Sequence, residues 1–406
     1  MPMTATTTES TDDRARRDGF IDARGRREFS VVALSSLLFS ITTTHSTLVA
    51  VALGHVGYSL QTIGVLISAV GVTALAATLG SGFVAARLGA VGAFRLAMAL
   101  AAIGVASLAV TRDMFWPALV SRLVWGAGVG LFLGPVNLYI QSRINKARFV
   151  YLVTAFSSTI PLALAVAPPV GEWVMNHFGE TALFIEGGVP AALALLITIG
   201  IRPLPPPPRP AGLGIAAAWR GWHPLPVATL VLGGAQFGYV ASYLAPELRE
   251  QGITLGWFFI PMTIVMIGCR VGAMRRLSAL HPRTLAASGL ITGGLSLAAA
   301  SAASLAGPWM VVLAGALLGY GNSMMFPIMS AWLGRWANPA EGPGVQAIVS
   351  TAFYFGIYWT PSPIAGVIEL GGFRGAEWLL ALSGVVLGVW LIVSRVDGGS
   401  DKSRAA

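Results

Sequence analysis

The sequence predicts an all-α membrane protein with 12 transmembrane helices in two six-helix bundles. In this chain of 406 residues, 55% are hydrophobic and 11% are charged, whereas soluble proteins have about 25% charged residues. Long apolar runs recur along the chain, and a helix needs roughly 20 apolar residues to cross the hydrocarbon core. The short alternating segments of a membrane barrel are absent, so backbone polar groups must be satisfied within helices.

The apolar runs define the predicted membrane spans, numbered 1 to 12 in chain order. They lie at 29–52, 60–83, 93–111, 115–139, 149–171, 181–201, 224–246, 254–274, 284–306, 309–333, 345–369 and 375–395. The four prolines Pro205–Pro208 lie between spans 6 and 7 and favour an extended polyproline segment. We therefore expect a tail at 1–28, a first bundle at 29–202, a linker at 203–223, a second bundle at 224–396 and a tail at 397–406.

The positive charges indicate how the spans are oriented. Of the 26 Lys and Arg residues, only Arg112, Arg249 and Arg374 fall in loops on one side, and only Arg122 lies well inside a span. The others lie in the tails, in the loops on the opposite side or near the span ends that border those loops. Because positive charge resists translocation, both termini are expected in the cytoplasm and the protein in the inner membrane of a cell. The net charge of +9 thus reflects topology, and no nucleic-acid partner is expected.

Similar patterns in the two halves indicate a duplication. Span 5 contains the P-x-x-G pattern Pro168 to Gly171, and span 11 repeats it at Pro363 to Gly366. Spans 4 and 10 also share their spacing of small residues and proline, at Gly128, Gly130 and Pro135 and at Gly319, Gly321 and Pro327. Parallel six-span halves are a known plan of transporters, whose substrate site lies between the halves near the midplane.

Three motifs resemble those of the major facilitator superfamily. The segment 82–89 (GFVAARLG) is similar to the loop motif G-x-x-x-D-R-x-G, with Ala86 in the acidic position. The segment 122–128 (RLVWGAG) resembles R-x-x-x-G-x-G, and 167–172 (APPVGE) resembles the antiporter motif G-P-x-x-G-G without two of its glycines. The resemblance covers about 29–396 and implies conformational roles for Gly82, Arg87, Gly89, Gly126, Gly128, Pro168, Gly171, Pro363 and Gly366.

The acidic residues all fall in tails, loops or helix ends. A proton-coupled transporter usually carries a carboxylate within the membrane. Glu186 comes nearest to such a position, but we expect it in the outer headgroup region. Glu247 and Glu377 are likewise expected at or near the outer face. The sequence therefore predicts a membrane interior almost free of acids.

Two basic residues within spans are candidates for function. Arg122 lies in span 4, where it either contacts an anion or a proton pathway or extends its charge to the interface. His45 lies in span 1 within a run of hydroxyl residues, and histidine changes charge near neutral pH. We predict a proton-coupling role for both, with a purely structural role for His45 as the alternative.

Polar and aromatic side chains in spans 7, 10 and 11 are candidates for binding substrate. Gln236, Tyr239 and Tyr243 share one helical face of span 7. The resemblance implies that spans 1, 4, 7 and 10 line a central cavity. The predicted substrate-binding residues are Arg122, Gln236, Tyr239, Tyr243, Tyr320, Asn322, Tyr354 and Tyr358. An aromatic wall with few polar groups suits an amphipathic organic molecule.

The resemblance implies a secondary transporter that works by alternating access, and we expect proton-linked efflux of a small organic, amphipathic molecule. Uptake or exchange of an organic anion is the alternative within transport, and a transport-inactive membrane sensor or partner protein is the alternative of another class. The five histidines are scattered, so no catalytic group is expected and the protein is not predicted to be an enzyme. No metal or cofactor is expected. The expected partners are the lipid bilayer, a small-molecule substrate and protons, and the expected state is a monomer.

Overall fold

The computed structural model describes residues 20–144, 152, 156–205, 224–273, 280–334 and 342–394. Helices make up nearly all of this described part of the chain. The linker beyond residue 205, most of the N-terminal tail and the C-terminal tail at 397–406 lie outside the described residues.

The described chain forms helices with the following bounds. They are α1 (Ala23–Thr44), α2 (Ser46–Val56), α3 (Leu60–Thr111), α4 (Phe115–Gln141), α5 (Thr159–Ile197), α6 (Pro224–Glu250), α7 (Gly256–Gly268), α8 (Pro282–Ser301), α9 (Ala303–Ala306), α10 (Pro308–Gly334), α11 (Gly342–Trp359) and α12 (Pro361–Val393). A π-helical turn, Cys269–Ala273, extends α7.

Three of these helices each consist of two helical portions that meet at a kinked glycine with non-helical backbone angles. With 52 residues, α3 would be about 78 Å long at 1.5 Å per residue, far more than the hydrocarbon core of about 30 Å. The φ angles are 73° at Gly89 in α3, 82° at Gly179 in α5 and 70° at Gly372 in α12. Only glycine adopts such angles readily. Each of the three helices therefore contains portions of two spans.

With these turns taken into account, the described helices supply the twelve predicted spans. Seven described helical segments are each long and apolar enough to cross a membrane, and three of them contain the glycine turns. Span 8 corresponds to α7 with its π-helical turn, and span 10 corresponds to α10. The protein is therefore a multi-pass, all-α membrane protein of the predicted class.

The first helix begins before the apolar run that predicted it. Asp22 caps α1, and the helix continues through a charged stretch that includes Glu28 before it reaches the apolar run. Glu28 was expected in the tail, but it is 5% exposed. It accepts a hydrogen bond from the Tyr139 hydroxyl at 3.0 Å and pairs with Arg143 at 2.9 Å. An apolar run marks only the part of a helix within hydrocarbon, so a paired acid outside that run can extend the helix.

The chain forms two compact units. The first contains Met1–His45 and Val72–Leu213, and the second contains Ser46–Gly71 and Gly214–Ala406. The chain therefore passes from the first unit to the second after His45, within span 1, and returns after Gly71, within span 2. The predicted division into bundles at 29–202 and 224–396 stays a prediction.

Glycines of span 4 allow close helix packing in the first unit. A Cβ atom at Gly128 would lie 2.6 Å from the Ala101 nitrogen in span 3, and one at Gly130 would overlap the Ala74 carbonyl in span 2. On the same helix, the Phe132 ring stacks on Phe39 of span 1 with 3.8 Å between the centroids. Small residues thus bring the backbones of spans 2, 3 and 4 together, as in many membrane bundles.

Span 10 is packed by the same means in the second unit. A Cβ atom at Gly315 would overlap the carbonyl of Phe258, and one at Gly319 would overlap that of Met262. Both carbonyls belong to α7. The glycine patterns of spans 4 and 10 thus have the same packing role within their own units, which agrees with the predicted duplication.

An arginine caps a helix end in each unit. Arg95 of span 3 donates to the carbonyls of Thr198 and Ile199 at the end of α5. Arg283 of span 9 donates to the Leu391 carbonyl near the end of α12, and also to the Ser394 hydroxyl at 3.0 Å. The last carbonyls of a helix lack partners within the helix, and cations stabilise this end. These two arginines, which lie at the beginnings of spans 3 and 9, therefore fasten the ends of spans 6 and 12.

Candidate functional site

A histidine–glutamate pair joins spans 1 and 6 within the first unit. His45 lies at the junction where α1 ends at Thr44 and α2 begins at Ser46. Its ring is 2% exposed. The Nε2 atom lies 2.5 Å from Oε2 of Glu186 on α5, and the Nδ1 atom lies 2.8 Å from the Ile41 carbonyl oxygen.

These two contacts determine where the protons of the pair must be. A carbonyl oxygen can only accept, so Nδ1 of His45 carries a proton and donates it to Ile41. In the neutral ring Nε2 is then an acceptor. The contact with Glu186 therefore requires a proton on Nε2, giving imidazolium and carboxylate, or a proton on Oε2, giving imidazole and carboxylic acid. The pair holds one proton between the two atoms in either form.

Span 6 fits closely around this pair. A Cβ atom at Gly187 would lie 3.1 Å from two carbons of the His45 ring, so only glycine leaves this space. The Ala191 amide donates to the Thr42 hydroxyl at 2.9 Å. The hydroxyls of Thr43 and Thr44 instead bond to carbonyls of their own helix, Ser40 and Ile41. The hydroxyl run therefore both contacts span 6 and satisfies its own backbone.

The structure gives Glu186 a partner that the sequence does not indicate, while its expected position in the headgroup region stays a prediction. Its side chain is 29% exposed and contacts a buried histidine of another span. The prediction depended on the distance of Glu186 from the end of span 6, which does not reveal a partner in span 1. One signal in the sequence could have suggested the pair: Glu186 and His45 are an acid and a histidine that lie within two spans of the same half.

Arg122 is buried and contacts an aromatic ring of its own helix. It is 1% exposed, and its guanidinium carbon lies 4.4 Å from the centroid of the Trp125 ring. A guanidinium over an indole face is a favourable cation–π arrangement. The alternative in which Arg122 extends to the interface is wrong, because the side chain turns towards Trp125 instead. Its predicted contact with substrate or protons stays a prediction.

Gln236 is buried between helices in this conformation, and its predicted substrate contact stays a prediction. It is 1% exposed, and its amide nitrogen donates to the carbonyls of Leu290 at 3.3 Å and Leu380 at 3.5 Å. Cβ atoms at Gly293 and Gly384 would overlap its amide group. The amide therefore links spans 7, 9 and 12 within the second unit.

The two tyrosines of the same stripe are also buried. Tyr239 is 1% exposed and Tyr243 is 0% exposed, and their ring centroids lie 6.2 Å apart. The Tyr243 hydroxyl donates to the Pro361 carbonyl at 2.8 Å, whereas the Tyr239 hydroxyl donates to Oε2 of Glu247 at 3.0 Å. Both hydroxyls thus have partners within the second unit, and substrate binding by these tyrosines stays a prediction.

The second unit encloses two acids that the sequence places at or near the outer face, and their depth in the membrane stays a prediction. Glu247 on α6 is 3% exposed and Glu377 on α12 is 0% exposed. The two carboxyl groups interact with one another. Both acids lie near the ends of apolar runs, where hydropathy alone suggests an aqueous position. Packing of two helix ends against each other places them inside the protein, and no linear pattern shows this.

The remaining candidates for substrate binding lie in spans 10 and 11. Tyr320 is half-buried, and its hydroxyl oxygen lies 3.1 Å from the Ser288 hydroxyl oxygen. Asn322 is 8% exposed, and its amide nitrogen has no hydrogen-bond partner among the described residues. The rings of Tyr354 and Tyr358 lie 6.1 Å apart at an angle of 39°. Their role in binding stays a prediction.

The motif residues divide into exposed and buried positions. Gly82, Arg87 and Pro363 are exposed, and Gly366 is half-buried. Gly89 turns the chain between spans 2 and 3. The buried motif residues are Gly126, Gly128, Pro168 and Gly171. Their part in conformational change stays a prediction, although Gly89 and Gly128 have the structural roles described above.

The described residues contain no cluster of His, Cys, Asp or Glu able to hold a metal ion. Their notable ionisable groups instead form one His–Glu pair and one Glu–Glu pair, together with the enclosed Arg122. Within the described chain, such groups can bind protons or organic ions.

Solved transporter structures have the same fold. One is a POT family transporter in complex with 5-aminolevulinic acid, which is 13% identical, with a TM-score of 0.74 and coverage of 90% of this chain and 96% of that chain. The nucleoside transporter NupG is 14% identical, with a TM-score of 0.73 and coverage of 90% and 98%. A D-xylose-proton symporter is 16% identical, with a TM-score of 0.71 and coverage of 89% and 96%. At these identities the likeness concerns the fold.

The sequence also matches a family profile over nearly its whole length. The profile of the Major Facilitator Superfamily matches residues 30–284 and again 273–405. These two ranges contain the twelve predicted spans except for the first residue of span 1. The protein therefore belongs to the major facilitator superfamily.

Proposed function

We propose that this protein couples proton movement to the export of a small organic, amphipathic molecule by alternating access. Secondary transport follows from its membership of the major facilitator superfamily. The proton linkage, the outward direction and the class of substrate are the new parts of the proposal. They are proposed for a monomer in the inner membrane with both termini in the cytoplasm.

The contact between His45 and Glu186 carries the proposal. The two atoms are 2.5 Å apart and share one proton. If that proton leaves, an imidazole lone pair faces a carboxylate, and the contact becomes repulsive. Loss of the proton therefore separates spans 1 and 6, whereas its return draws them together.

The position of the pair makes such a change useful for transport. His45 is the last residue of the first segment of the first unit, and the chain enters the second unit at Ser46. A helix break also occurs at His45, since α1 and α2 end and begin on either side of it. A protonation step at this residue thus acts on the segment that leads from one unit to the other.

The direction of transport is proposed from span 5. The segment 167–172 resembles the motif associated with antiporters. Pro168 and Gly171 of this segment are buried within α5. Proline removes a backbone hydrogen bond and permits bending, which suits a helix that moves between two states.

Uptake or exchange of an organic anion is the second candidate. The specific observation in its favour is Arg122, a cation that is 1% exposed within a membrane unit. A buried guanidinium is expensive in lipid and normally marks a pathway or an anionic partner. In this version Arg122 attracts the anion and the His45–Glu186 pair exchanges the proton.

Proteoliposomes with a trapped pH-sensitive dye test both candidates. Amphipathic dyes such as ethidium and small organic anions are added with a pH gradient imposed in either direction. Export predicts that adding a transported amphipathic dye moves protons in the opposite direction, while anion uptake predicts movement in the same direction. The variant His45→Gln is expected to weaken either response.

Three results would count against the proposal. Proton movement that is unchanged in His45→Gln removes this residue from coupling. Transport that ignores the pH gradient contradicts proton linkage. A folded protein that moves no compound in the panel and responds to no gradient favours the transport-inactive sensor or partner protein.

A further inference from the structure

The second unit contains a buried acidic pair that the transport proposal does not use. Glu247 near the end of α6 and Glu377 on α12 are 3% and 0% exposed. The Tyr239 hydroxyl donates to Oε2 of Glu247 at 3.0 Å, and the Gln251 amide approaches Oε1 at 3.5 Å. Neither carboxyl oxygen of Glu377 has a hydrogen-bond partner among the described residues.

This arrangement satisfies only one of the two acids as an anion. Glu247 accepts two donors, whereas the enclosed oxygens of Glu377 have no donor among the described side chains and interact with the carboxyl group of Glu247. Two like charges held together away from water strongly disfavour each other. A proton on Glu377 removes one charge and supplies the missing donor between the two carboxyl groups.

The surrounding charges do not replace that proton. The charged and titratable groups that interact with the pair are Tyr239 and Glu250 of α6 and Arg374 of α12. Glu250 adds negative charge and Tyr239 adds none. Arg374 attracts both acids, but it is exposed and its guanidinium donates to Ser304. One exposed cation thus stands against two buried acids.

The duplication provides independent support for the importance of this location. Gly179 turns the chain before span 6, and Gly372 turns it before span 12. Each turn is followed by an acid whose partner belongs to the first helix pair of the same half. Glu186 follows Gly179 and contacts His45, and Glu377 follows Gly372 and interacts with Glu247. In the first unit the partner is a histidine that shares a proton, and in the second unit it is a glutamate.

We propose that Glu247 and Glu377, assisted by Tyr239, form a second proton-binding site, the counterpart of the His45–Glu186 pair. A proton from water adds to a carboxylate oxygen of Glu377 and forms a carboxylic acid that donates to Glu247. Proton binding by this pair does not depend on transport. A contribution to coupling rests on the proposed function.

Infrared spectroscopy of the full-length protein in lipid nanodiscs tests proton binding directly. A protonated carboxyl group has a carbonyl stretch that an ionised carboxylate lacks, and the band shifts in D₂O. At neutral pH we expect the wild-type protein to show one such band from protonated Glu377, and this band should disappear in Glu377→Gln. In Glu247→Gln the band should shift, because protonated Glu377 then donates to an amide instead of a carboxylate. Glu369→Gln is the matched control, because Glu369 is an exposed glutamate on the same helix as Glu377 and does not interact with the pair.

Each outcome decides the matter. If Glu377→Gln does not fold, the shift in Glu247→Gln still tests the assignment. Spectra of both variants that equal that of the wild type overturn the proposal. A wild-type band that disappears when sodium replaces choline at constant pH identifies a sodium site and also overturns it. Loss of the band in Glu377→Gln supports the proposal even if transport proves independent of pH, so the two proposals can fail separately.

Discussion

Replacing Glu186 with glutamine separates the structural contact of the His45–Glu186 pair from its proton chemistry. Because Nδ1 of His45 donates to Ile41, its Nε2 can accept a hydrogen bond in the neutral ring. The amide of Glu186→Gln can donate to Nε2 as a protonated glutamate would. We therefore expect the variant to fold, with its free energy of unfolding changed by no more than about 1 kcal/mol.

The expected effect on transport follows from the number of protons in the pair. The 2.5 Å contact holds one proton between Nε2 and Oε2. If one proton moves in each cycle, a gradient of about one pH unit is worth about 1.4 kcal/mol and sustains a roughly tenfold concentration ratio of a neutral substrate. In Glu186→Gln this ratio should fall to about 1 by the same relation.

Two measurements on the same proteoliposomes distinguish loss of coupling from loss of function. Accumulation of labelled substrate under a pH gradient should disappear in Glu186→Gln. Exchange of labelled for unlabelled substrate needs no net proton movement and should continue. The variant Glu186→Ala should instead be destabilised by about 1–3 kcal/mol, because Nε2 of the buried His45 loses its partner.

One result would refute the reasoning about the pair. If Glu186→Gln accumulates substrate under a pH gradient as the wild type does, the proton between His45 and Glu186 is not the coupling proton. Equal stability of Glu186→Ala and Glu186→Gln would separately show that the contact does not hold spans 1 and 6 together.

Two further predictions concern Arg122 and the packing of span 4. Arg122→Ala should abolish transport of an anionic substrate while leaving expression and folding intact. Arg122→Lys should restore it only partly, because lysine keeps the charge but lacks the planar group that covers Trp125; full transport by Arg122→Ala would contradict an anion contact. Gly130→Ala should lower the free energy of unfolding by about 1–3 kcal/mol, since the new Cβ atom would overlap the Ala74 carbonyl. In the same thermal unfolding assay, Gly54→Ala is the control because its Cβ atom would meet nothing within 4 Å, and equal loss in both variants would contradict the packing argument.

Much of the fold could be predicted because the bilayer imposes a simple rule on the chain. Apolar runs of about 20 residues must form helices, and the glycine turns at Gly89, Gly179 and Gly372 join neighbouring spans as the run boundaries suggest. The helix ends were harder to predict. Glu28 belongs to α1 although it precedes the apolar run, because paired charges extend a helix beyond the hydrocarbon.

The candidate site was predictable only in part. His45 and Arg122 could be singled out because ionisable residues within spans are rare and usually functional. Their partners could not, since the sequence does not show that Glu186 contacts His45 or that Trp125 covers Arg122. The helical stripe that suggested a substrate contact for Gln236 correctly grouped residues on one face. It did not show which neighbouring helices that face meets.

The sequence by itself determined the class of the protein, its membership of a family and the positions of its spans. These properties depend on local composition, because transfer of each segment into hydrocarbon is decided by its own residues. Only the tertiary structure decided which ionisable groups meet, as in the pairs His45–Glu186 and Glu247–Glu377. Each pair joins helices that are distant in sequence. The packing of those helices determines whether an acid at the end of an apolar run faces water or is enclosed beside another ionisable group.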